Sequence, residues 1–323
     1  MIGKFLLCFT LLVLPSLAEE KAGKLSYASL RKSGVVSGFG IRHGDPLGLK
    51  GRIPAIDHPI YVESKKGLYP EDLLCIGMQV EGEWRFSPLE TLNSHEVINH
   101  QGKGALCFCP LAGLSIALDG DMIVSGLLRY DTFLLVANKT DELIVPFLQR
   151  TYRHNRAVRM RDIHMLEFSG IAEHFPGARI LDPEAHSRTQ PYGAYPTDSN
   201  PGIGHPRPGL KWHYSRRQYG HHPKEFVLIA GRKGKIEKAY PLAELKKSVP
   251  KEGGSFGDEI DGEPVTVHFS PISRWGRVTN IKGASLNVGY AYIFAFVQNL
   301  PNLPVYRKAG ADPKQKTAFE PAR

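Results

Sequence analysis

The stretch FSPLETL at residues 86–92 joins the end of a strand-like run to the start of a helix. Ser87 is a common helix-capping residue, Pro88 suits the first helical position, and Glu90 completes a capping box with Ser87. Just before it, the tetrapeptide VEGE at 80–83 lies between two short strand-like runs and is typical of a hairpin turn. The region therefore predicts a β-hairpin that leads directly into a helix.

The same arrangement returns in AYPLAEL at 239–245, again after two strand-like runs. Later in the chain, HFSPI at 268–272 resembles CFCPL at 107–111, and residues 294–306 resemble residues 168–181. Three similar pairs of segments in one order favour an ancient duplication. Chance similarity between hairpins and proline-leucine helix starts is the alternative.

These patterns predict a β-rich α+β fold in which two pseudo-repeats of hairpin, helix, strands and helix pack as one globule. Two copies are too few for an open solenoid, so we expect pseudo-twofold symmetry. The predicted parts are a signal peptide at 1–18, an N-terminal extension at 19–50, a main domain at 51–307 and a flexible tail at 308–323. The main domain divides into copy one at about 73–182, a loop-rich connection at 183–225 and copy two at 226–307.

The N-terminus has the pattern of a secretory signal. Lys4 precedes an apolar run at 5–14, and small residues lead to a cleavage site after Ala18. The run is shorter than the ~20 residues that a spanning helix needs. We therefore expect an exported, soluble protein, periplasmic or secreted, with no transmembrane segment after signal removal.

The formal net charge of +9 suits an anionic envelope component as a partner. Basic residues are scattered through several stretches, and no nucleic-acid-binding motif surrounds them. Export makes a nucleic-acid partner less plausible still, so none is expected. A basic surface that is simply solvated is the alternative interpretation of the charge.

Cys107 and Cys109 alternate along an apolar, strand-like run, so their side chains should point to one face of a strand. Pro110 and Gly113 then end the strand. Cys75 lies in the apolar run LLCI and is expected in the core. Three cysteines after signal removal do not form the disulfide framework of a small secreted protein.

His95 and Glu96 precede this strand and provide polar groups for a site. In one hypothesis the four residues are catalytic, with His95 activating the thiol of Cys109 and Cys107 and Glu96 assisting. In another, Cys107, Cys109 and His95 bind zinc or copper. The alternative is that the cysteines are small buried hydrophobic residues and that His95 and Glu96 satisfy backbone groups at a helix end.

Several motifs resemble a bacterial domain-of-unknown-function family, the one numbered thirty-one seventy-nine. The matches are RIPAIDHP at 52–59 with the family's G-I-P-A-I-D-x-P, LNSHEVIN at 92–99 with L-N-W-H-E-I-V-N, CPLAG at 109–113 with C-P-L-C-G, and VSGLL at 124–128 with V-S-G-L-L. Some members carry selenocysteine in the C-P-L-C-G region, which implies redox or soft-metal chemistry within the family. In this chain Ala112 stands in place of the second cysteine, so C-x-x-C redox turnover is not expected.

Two functions from different classes follow. The chain is either an exported enzyme or metalloprotein with a thiol or metal site on the first repeat, centred on Cys109, or a non-catalytic binding protein of the envelope or extracellular space. In the second case Ala112 marks chemistry lost from an ancestral redox site.

Overall fold

The computed structural model describes residue 30 and residues 35–37, 53–186, 221–232 and 234–308. Strand is the predominant structure of these residues and the helices are short, which confirms the predicted β-rich α+β class. The predicted signal peptide, most of the loop-rich connection and nearly all of the tail lie outside the described residues. Among the described helices, none is both long and apolar enough to cross a membrane.

The elements of the described residues follow in chain order. The strands are β1 (Val35–Ser37), β2 (Tyr61–Glu63), β3 (Leu74–Val80), β4 (Glu83–Pro88), β5 (Val97–Asn99), β6 (Ala105–Cys109), β7 (Leu114–Leu118), β8 (Met122–Arg129), β9 (Thr132–Ala137), β10 (Glu142–Val145), β11 (Arg150–Thr151), β12 (Met160–Arg161), β13 (Ile163–Glu167), β14 (Arg179–Leu181), β15 (Phe226–Arg232), β16 (Lys235–Pro241), β17 (Gly254–Ile260), β18 (Glu263–Ser270), β19 (Trp275–Asn280) and β20 (Asn287–Tyr292). The α-helices are α1 (Leu89–His95), α2 (Ile171–His174), α3 (Leu242–Ser248) and α4 (Ile293–Asn299), and the short 3-10 helices are Pro146–Leu148 and Phe168–Gly170.

Glu81 and Gly82 form the turn of the β3–β4 hairpin, and both have positive φ angles, 52° and 87°. A two-residue turn with this geometry matches the right-handed twist of the strands that it joins, and glycine adopts it without steric cost. Val80 pairs with Glu83 directly across the turn. The predicted hairpin is therefore confirmed.

The helix after this hairpin begins one residue later than predicted. Pro88 is the last residue of β4, where it pairs with Cys75, and it serves as the N-cap of α1 with φ −59° and ψ 140°. Ser87 lies within β4, and no side chain caps the helix. The predicted capping box of Ser87 and Glu90 is wrong, as is the placement of Pro88 within the helix, because pairing with β3 holds residues 87 and 88 extended.

The described strands form four sheets. A seven-stranded sheet has the order β16-β15-β20-β7-β6-β5, with β12 on the edge of β7, and a five-stranded sheet has the order β13-β3-β4-β14-β2. A three-stranded sheet contains β17, β18 and β19. A second five-stranded sheet, here named the β8 sheet, has the order β1-β8-β9-β10-β11.

Several strand pairings within residues 73–182 resemble pairings within residues 226–307 and follow in the same chain order. β13 adds to β3 of the β3–β4 hairpin, as β20 adds to β15 of the β15–β16 hairpin. β6 and β7 form a hairpin in the first segment, and β18 and β19 form one in the second. β14 runs parallel to β4, and Val305 forms a parallel bridge with Ala239 of β16.

Contacts between the two segments are reciprocal. The N–H of Tyr292, at the end of β20, donates to the carbonyl of Ala112 at 2.8 Å. The N–H of Glu167, at the end of β13, donates to the carbonyl of Ser273 at the same distance. Each segment thus supplies a strand end to the turn of the other segment's hairpin.

Strands β8 to β11 of the β8 sheet lie in the chain between β7 and β12, which pair through Leu118 and Met160. In the second segment Thr279 and Ser285 form a bridge, and only a short turn connects them. The first segment is therefore longer because it contains β8 to β11.

Both faces of the β8 sheet are buried. Leu127 and Leu134 belong to a hydrophobic cluster with Leu30 and Val35. Leu128 and Phe133 belong instead to the largest cluster of the described residues, which also contains β6 and β7. Side chains alternate between the faces of a strand, so β8 and β9 place one face against the main core. This contact creates the cavity described below.

Gly77 in β3 is predicted to be intolerant of even one added carbon. A Cβ atom at Gly77 would lie 2.4 Å from the ring of Phe86, which is fully buried. We expect Gly77→Ala to destabilise the protein by about 1–3 kcal/mol, the usual cost of overpacking a core, as measured by urea denaturation. Gly257→Ala in β17 is the matched control, because its Cβ would meet no atom within 4 Å. Equal stability of the two variants would contradict this packing.

Candidate functional site

Cys107 and Cys109 both lie in β6, whose five residues are all buried. Cys107 is in the middle of the sheet, paired with Val97 of β5 and Ile116 of β7. Both thiols and that of Cys75 are free, and Cys75 is fully buried, as predicted for a core residue. The described cysteines are therefore all buried, and none of them forms a disulfide.

Backbone N–H groups surround the sulfur of Cys109. The N–H of Phe133 donates to Cys109 Sγ at 3.3 Å. The N–H groups of Leu111 and Ala112 in the following turn also bond to this sulfur and lower its pKa slightly. Such inward-pointing amides form a concave site that favours negative charge. The turn after Cys109 is thus shaped around its sulfur.

Gly113 allows the Cys109 turn to lie directly on Tyr292. Its φ angle is 59°, and a Cβ atom at this position would lie 2.7 Å from the tyrosine ring. The pKa of Tyr292 is raised by burial and, to a smaller extent, by the nearby Cys109. Position 113 therefore needs glycine both for its backbone conformation and for the close approach of the ring.

A small cavity of about 20 Å³ adjoins Cys109 where the β8 sheet meets the main core. Its lining residues are Glu96, Cys109, Leu111, Val124, Gly126, Leu127, Leu128 and Phe133. The volume suffices for one water molecule and is far below the several hundred Å³ of typical organic-ligand pockets. In this conformation the cavity admits only a water-sized group.

Burial suppresses ionisation of both thiols. It raises the pKa of Cys109 to about 12, and the carboxyl group of Glu96 contributes a further increase. The pKa of Cys107 is raised by the same two causes. The thiolate is the form of cysteine that attacks substrates and binds metals. At neutral pH both residues are therefore protonated thiols.

Glu96 and His95 have different roles from those of a catalytic pair. Glu96 ends α1 with a φ angle of 58°, and its carbonyl accepts from the N–H of Phe108 in β6. Its buried side chain lines the cavity with Cys109. His95 does not line the cavity, and its Nδ1 is 3.0 Å from the carbonyl oxygen of Pro54. Of the four predicted catalytic residues, Cys109 and Glu96 line the cavity, and Cys107 and His95 do not.

The predicted metal ligands do not converge. Within the described residues there is no group of three or more His, Cys, Asp or Glu side chains that could hold a metal ion, and Cys107, Cys109 and His95 are all described. His95 is engaged with Pro54, while Cys107 lies within the sheet. Of these three residues, Cys109 alone lines the cavity.

The cavity walls from β8 and β9 were not predicted as site residues. Val124, Leu128 and Phe133 lie well beyond Cys109 in the chain and are apolar, so no chemical pattern marks them. The match of residues 124–128 to a family motif was the one signal in the sequence that pointed to this strand. It indicated that the region matters but not that it faces Cys109.

The raised pKa of Cys109 predicts that stability falls at alkaline pH. The thiol has an ordinary pKa of 9.0, and the folded protein raises it to about 12. Its contribution is complete below pH 9 and is lost between pH 9 and 12, because the unfolded chain releases the proton first. The free energy of unfolding should fall by ~1.4 kcal/mol per pH unit for this group.

Urea denaturation of the wild type and Cys109→Ser from about pH 8 to about pH 10.5 measures this effect. The difference between the two proteins isolates Cys109 from tyrosines, lysines and the other cysteines. We expect a steeper decline in the wild type. Parallel declines would show that the thiol ionises as readily in the folded protein as in the unfolded chain.

Comparison with known proteins gives one match. The model of the family described as Protein of unknown function (DUF3179) matches residues 50–284, most of the chain and nearly all of the described fold up to β19. No match was found among curated proteins or solved structures. The matched range contains Cys109, its turn and strands β8 to β11, and the resemblance stated from the motifs is confirmed. This chain belongs to the DUF3179 family of proteins of unknown function.

Proposed function

We propose that this chain is an exported, non-catalytic binding protein of the envelope or extracellular space. The observation that carries the proposal is the state of Cys109, which is buried, raised in pKa to about 12 and next to a cavity of only about 20 Å³. A catalytic thiol needs access and a low pKa, and Cys109 has neither.

Dithiol redox turnover lacks a second sulfur at the cavity. Ala112 is buried in the Cys109 turn at the position of the family's second cysteine. Cys107 is on the same strand but does not line the cavity. Thiol–disulfide exchange proceeds by attack of a thiolate, and neither thiol ionises at neutral pH. These features support a protein in which the Cys109 sulfur packs in the core and does not take part in dithiol redox turnover.

A basic surface supports an anionic envelope component as the partner. The stretch 150–161, here named the basic loop, contains the five arginines Arg150, Arg153, Arg156, Arg159 and Arg161. Glu142 pairs with Arg156, and Asp119 pairs with Arg161 and more distantly with Arg159. Arg150, Arg153, Arg156 and Arg159 are exposed. Guanidinium groups bind carboxylates and phosphates in a forked geometry, which suits an anionic polymer.

We also propose that the fold consists of two pseudo-repeats. The matching strand pairings of residues 73–182 and 226–307 support this, and so do the reciprocal bonds from Tyr292 to Ala112 and from Glu167 to Ser273. In this view strands β8 to β11 are an insertion into copy one that covers the Cys109 turn. In the corresponding turn of copy two, Ile272 is 68% exposed. The basic loop begins at β11, the last strand of this insertion.

A single-thiol site remains a second candidate function because of one specific observation. The sulfur of Cys109 accepts backbone N–H groups and shares its cavity with the carboxyl group of Glu96. If the β8 sheet moves away, the N–H of Phe133 leaves with it, while Glu96 could accept the thiol proton and the N–H groups of Leu111 and Ala112 could stabilise the resulting anion. This candidate needs a conformation more open than the one described.

Thiol alkylation of the native mature protein distinguishes the two candidates. We expect intact-mass analysis after iodoacetamide treatment at neutral pH to show no adduct, and three adducts after denaturation, because all three thiols are buried. Cys109→Ser serves to assign any adduct that forms. Rapid native labelling that disappears in this variant would contradict the binding-protein proposal and favour the single-thiol site.

The basic loop should control binding to a polyanion. Arg150→Gln with Arg159→Gln removes two exposed guanidinium groups, and we expect roughly two- to tenfold weaker binding to alginate at low salt. Lys246→Gln with Lys251→Gln makes the same change in net charge at exposed positions near α3. Salt should weaken wild-type binding, because it screens exposed charges.

Isothermal titration of alginate into each protein measures this difference. Equal losses of affinity in the two double variants would mean that net charge alone attracts the polymer. The basic loop would then not be the binding surface.

A further inference from the structure

Lys224 is a lysine whose ammonium group is enclosed by the protein. The residue is 6% exposed, and its Nζ is buried without a hydrogen-bond partner. Among the described residues it is the one lysine that is classed as buried. Lysines usually keep the ammonium in water and bury only the aliphatic stem, so this position departs from the usual behaviour of the side chain.

Other buried charges of the described fold have partners. Glu237 pairs with Arg232 at 3.0 Å, and Glu244 pairs with Lys247 at 2.8 Å. No salt bridge is found for Lys224 among the described residues, and burial is the sole cause of its shifted pKa, which falls to about 8. Near neutral pH the group is still mostly protonated. An isolated buried charge is costly unless an opposite charge accompanies it.

The ring of Tyr292 compensates for only part of this cost. Lys224 Nζ lies 5.7 Å from the ring centroid, within the range of a cation–π contact. The ring offers negative charge density, but an ammonium has three N–H donors and prefers oxygen acceptors for them. The cation–π contact therefore explains why the charge is tolerated and leaves its hydrogen-bonding capacity unused.

The backbone holds Lys224 in a fixed place at the start of α4. The carbonyl of Pro223 accepts from the N–H of Phe294 at 3.1 Å, and the carbonyl of Glu225 accepts from the N–H of Ile293 at 2.8 Å. The N–H of Lys224 itself donates to the ring nitrogen Nδ1 of His222. These bonds on both sides of the residue fix its main chain, so ligand binding does not need to order the backbone here.

We infer that Lys224 is a binding site for a small monoanion with oxygen acceptors, a carboxylate of about the size of formate. A single negative charge would neutralise the enclosed ammonium, and carboxylate oxygens would accept the N–H donors that the Tyr292 ring cannot. The enclosure of Nζ restricts the ligand to a small one. This site is separate from the basic loop, so anion binding at Lys224 and polyanion binding at the basic loop can be disproved independently.

Formate titration followed by thermal unfolding tests the inference. In low-salt buffer the midpoint of unfolding of the wild type should rise with formate and saturate, since a ligand that binds the folded state stabilises it. Lys224→Met should weaken the apparent affinity by roughly ten- to a hundredfold, the loss expected for a charge-assisted hydrogen bond. Lys224→Arg should retain saturable binding, because it keeps the cation.

Lys246→Met is the matched control, because Lys246 is exposed on α3. It should respond to formate as the wild type does. A wild-type response that does not saturate, or an equal saturable response in Lys224→Met, would overturn the inference. In that case the lysine is an enclosed core residue, and Lys224→Met should unfold at a higher temperature than the wild type without any ligand.

If Lys224→Met does not fold, a measurement on the wild type alone tests whether the anion binds at Lys224. Acetic anhydride modifies lysines, and peptide mass analysis gives the rate at Lys224 and at Lys246 in the same sample. Formate should protect Lys224 with the half-saturation seen in the thermal titration and leave Lys246 unaffected. Lack of protection at Lys224 would equally overturn the inference.

Discussion

The contact between Tyr292 and the turn after Cys109 joins the two halves of the described fold. The N–H of Tyr292 donates to the carbonyl of Ala112, and the ring lies against Gly113 so closely that no Cβ atom fits between them. Beside it Tyr290 pairs with Ser115, which makes β20 and β7 neighbours in the seven-stranded sheet. Without this close approach the strands of the second segment could not continue the sheet of the first.

The same contact brings two unusual groups near one another. Cys109 precedes the turn on which the Tyr292 ring packs, and Lys224 places its ammonium within cation–π distance of that ring. Both groups are buried, and burial shifts both toward the uncharged form, raising the pKa of the thiol and lowering that of the amine. The interior thus disfavours charge at each. A carboxylate that reached Lys224 would stabilise the protonated amine.

The β8 sheet separates the Cys109 thiol of the first segment from solvent. Its strands supply Val124, Leu128 and Phe133 to the wall of the Cys109 cavity, and the N–H of Phe133 bonds to the sulfur. The basic loop begins at β11, the last strand of this sheet, so one stretch of chain both closes the thiol site and carries exposed arginines. In the function proposed here, the partner binds at the exposed basic loop. Cys109, at the position of the ancestral thiol, contributes only to the packing of the core.

Local sequence patterns sufficed for the parts of the fold that short-range physics governs. The tetrapeptide VEGE between two strand-like runs predicted the hairpin whose turn is Glu81 and Gly82, and the apolar, strand-like run around Cys107 and Cys109 predicted their strand. Family motifs predicted the membership that the comparison confirmed. The capping box at Ser87 failed, because pairing of Pro88 with Cys75 extends the strand through residues that would otherwise begin a helix. Even a local signal is overridden when a distant strand offers hydrogen bonds.

Local sequence patterns could not predict which residues come together at the candidate sites. His95 and Glu96 are adjacent in sequence, yet the positive φ of Glu96 at the helix end sends its side chain to the cavity while His95 bonds to Pro54. Phe133 reaches Cys109 because the β8 sheet packs against the main core, and Tyr292 reaches Lys224 because β20 pairs with β15. The chain alone specified strands, turns and family, because these follow from alternation and backbone preference. Burial and the neighbours of each thiol and amine were set by long-range packing, because pKa shifts and cavities arise only where separate segments meet.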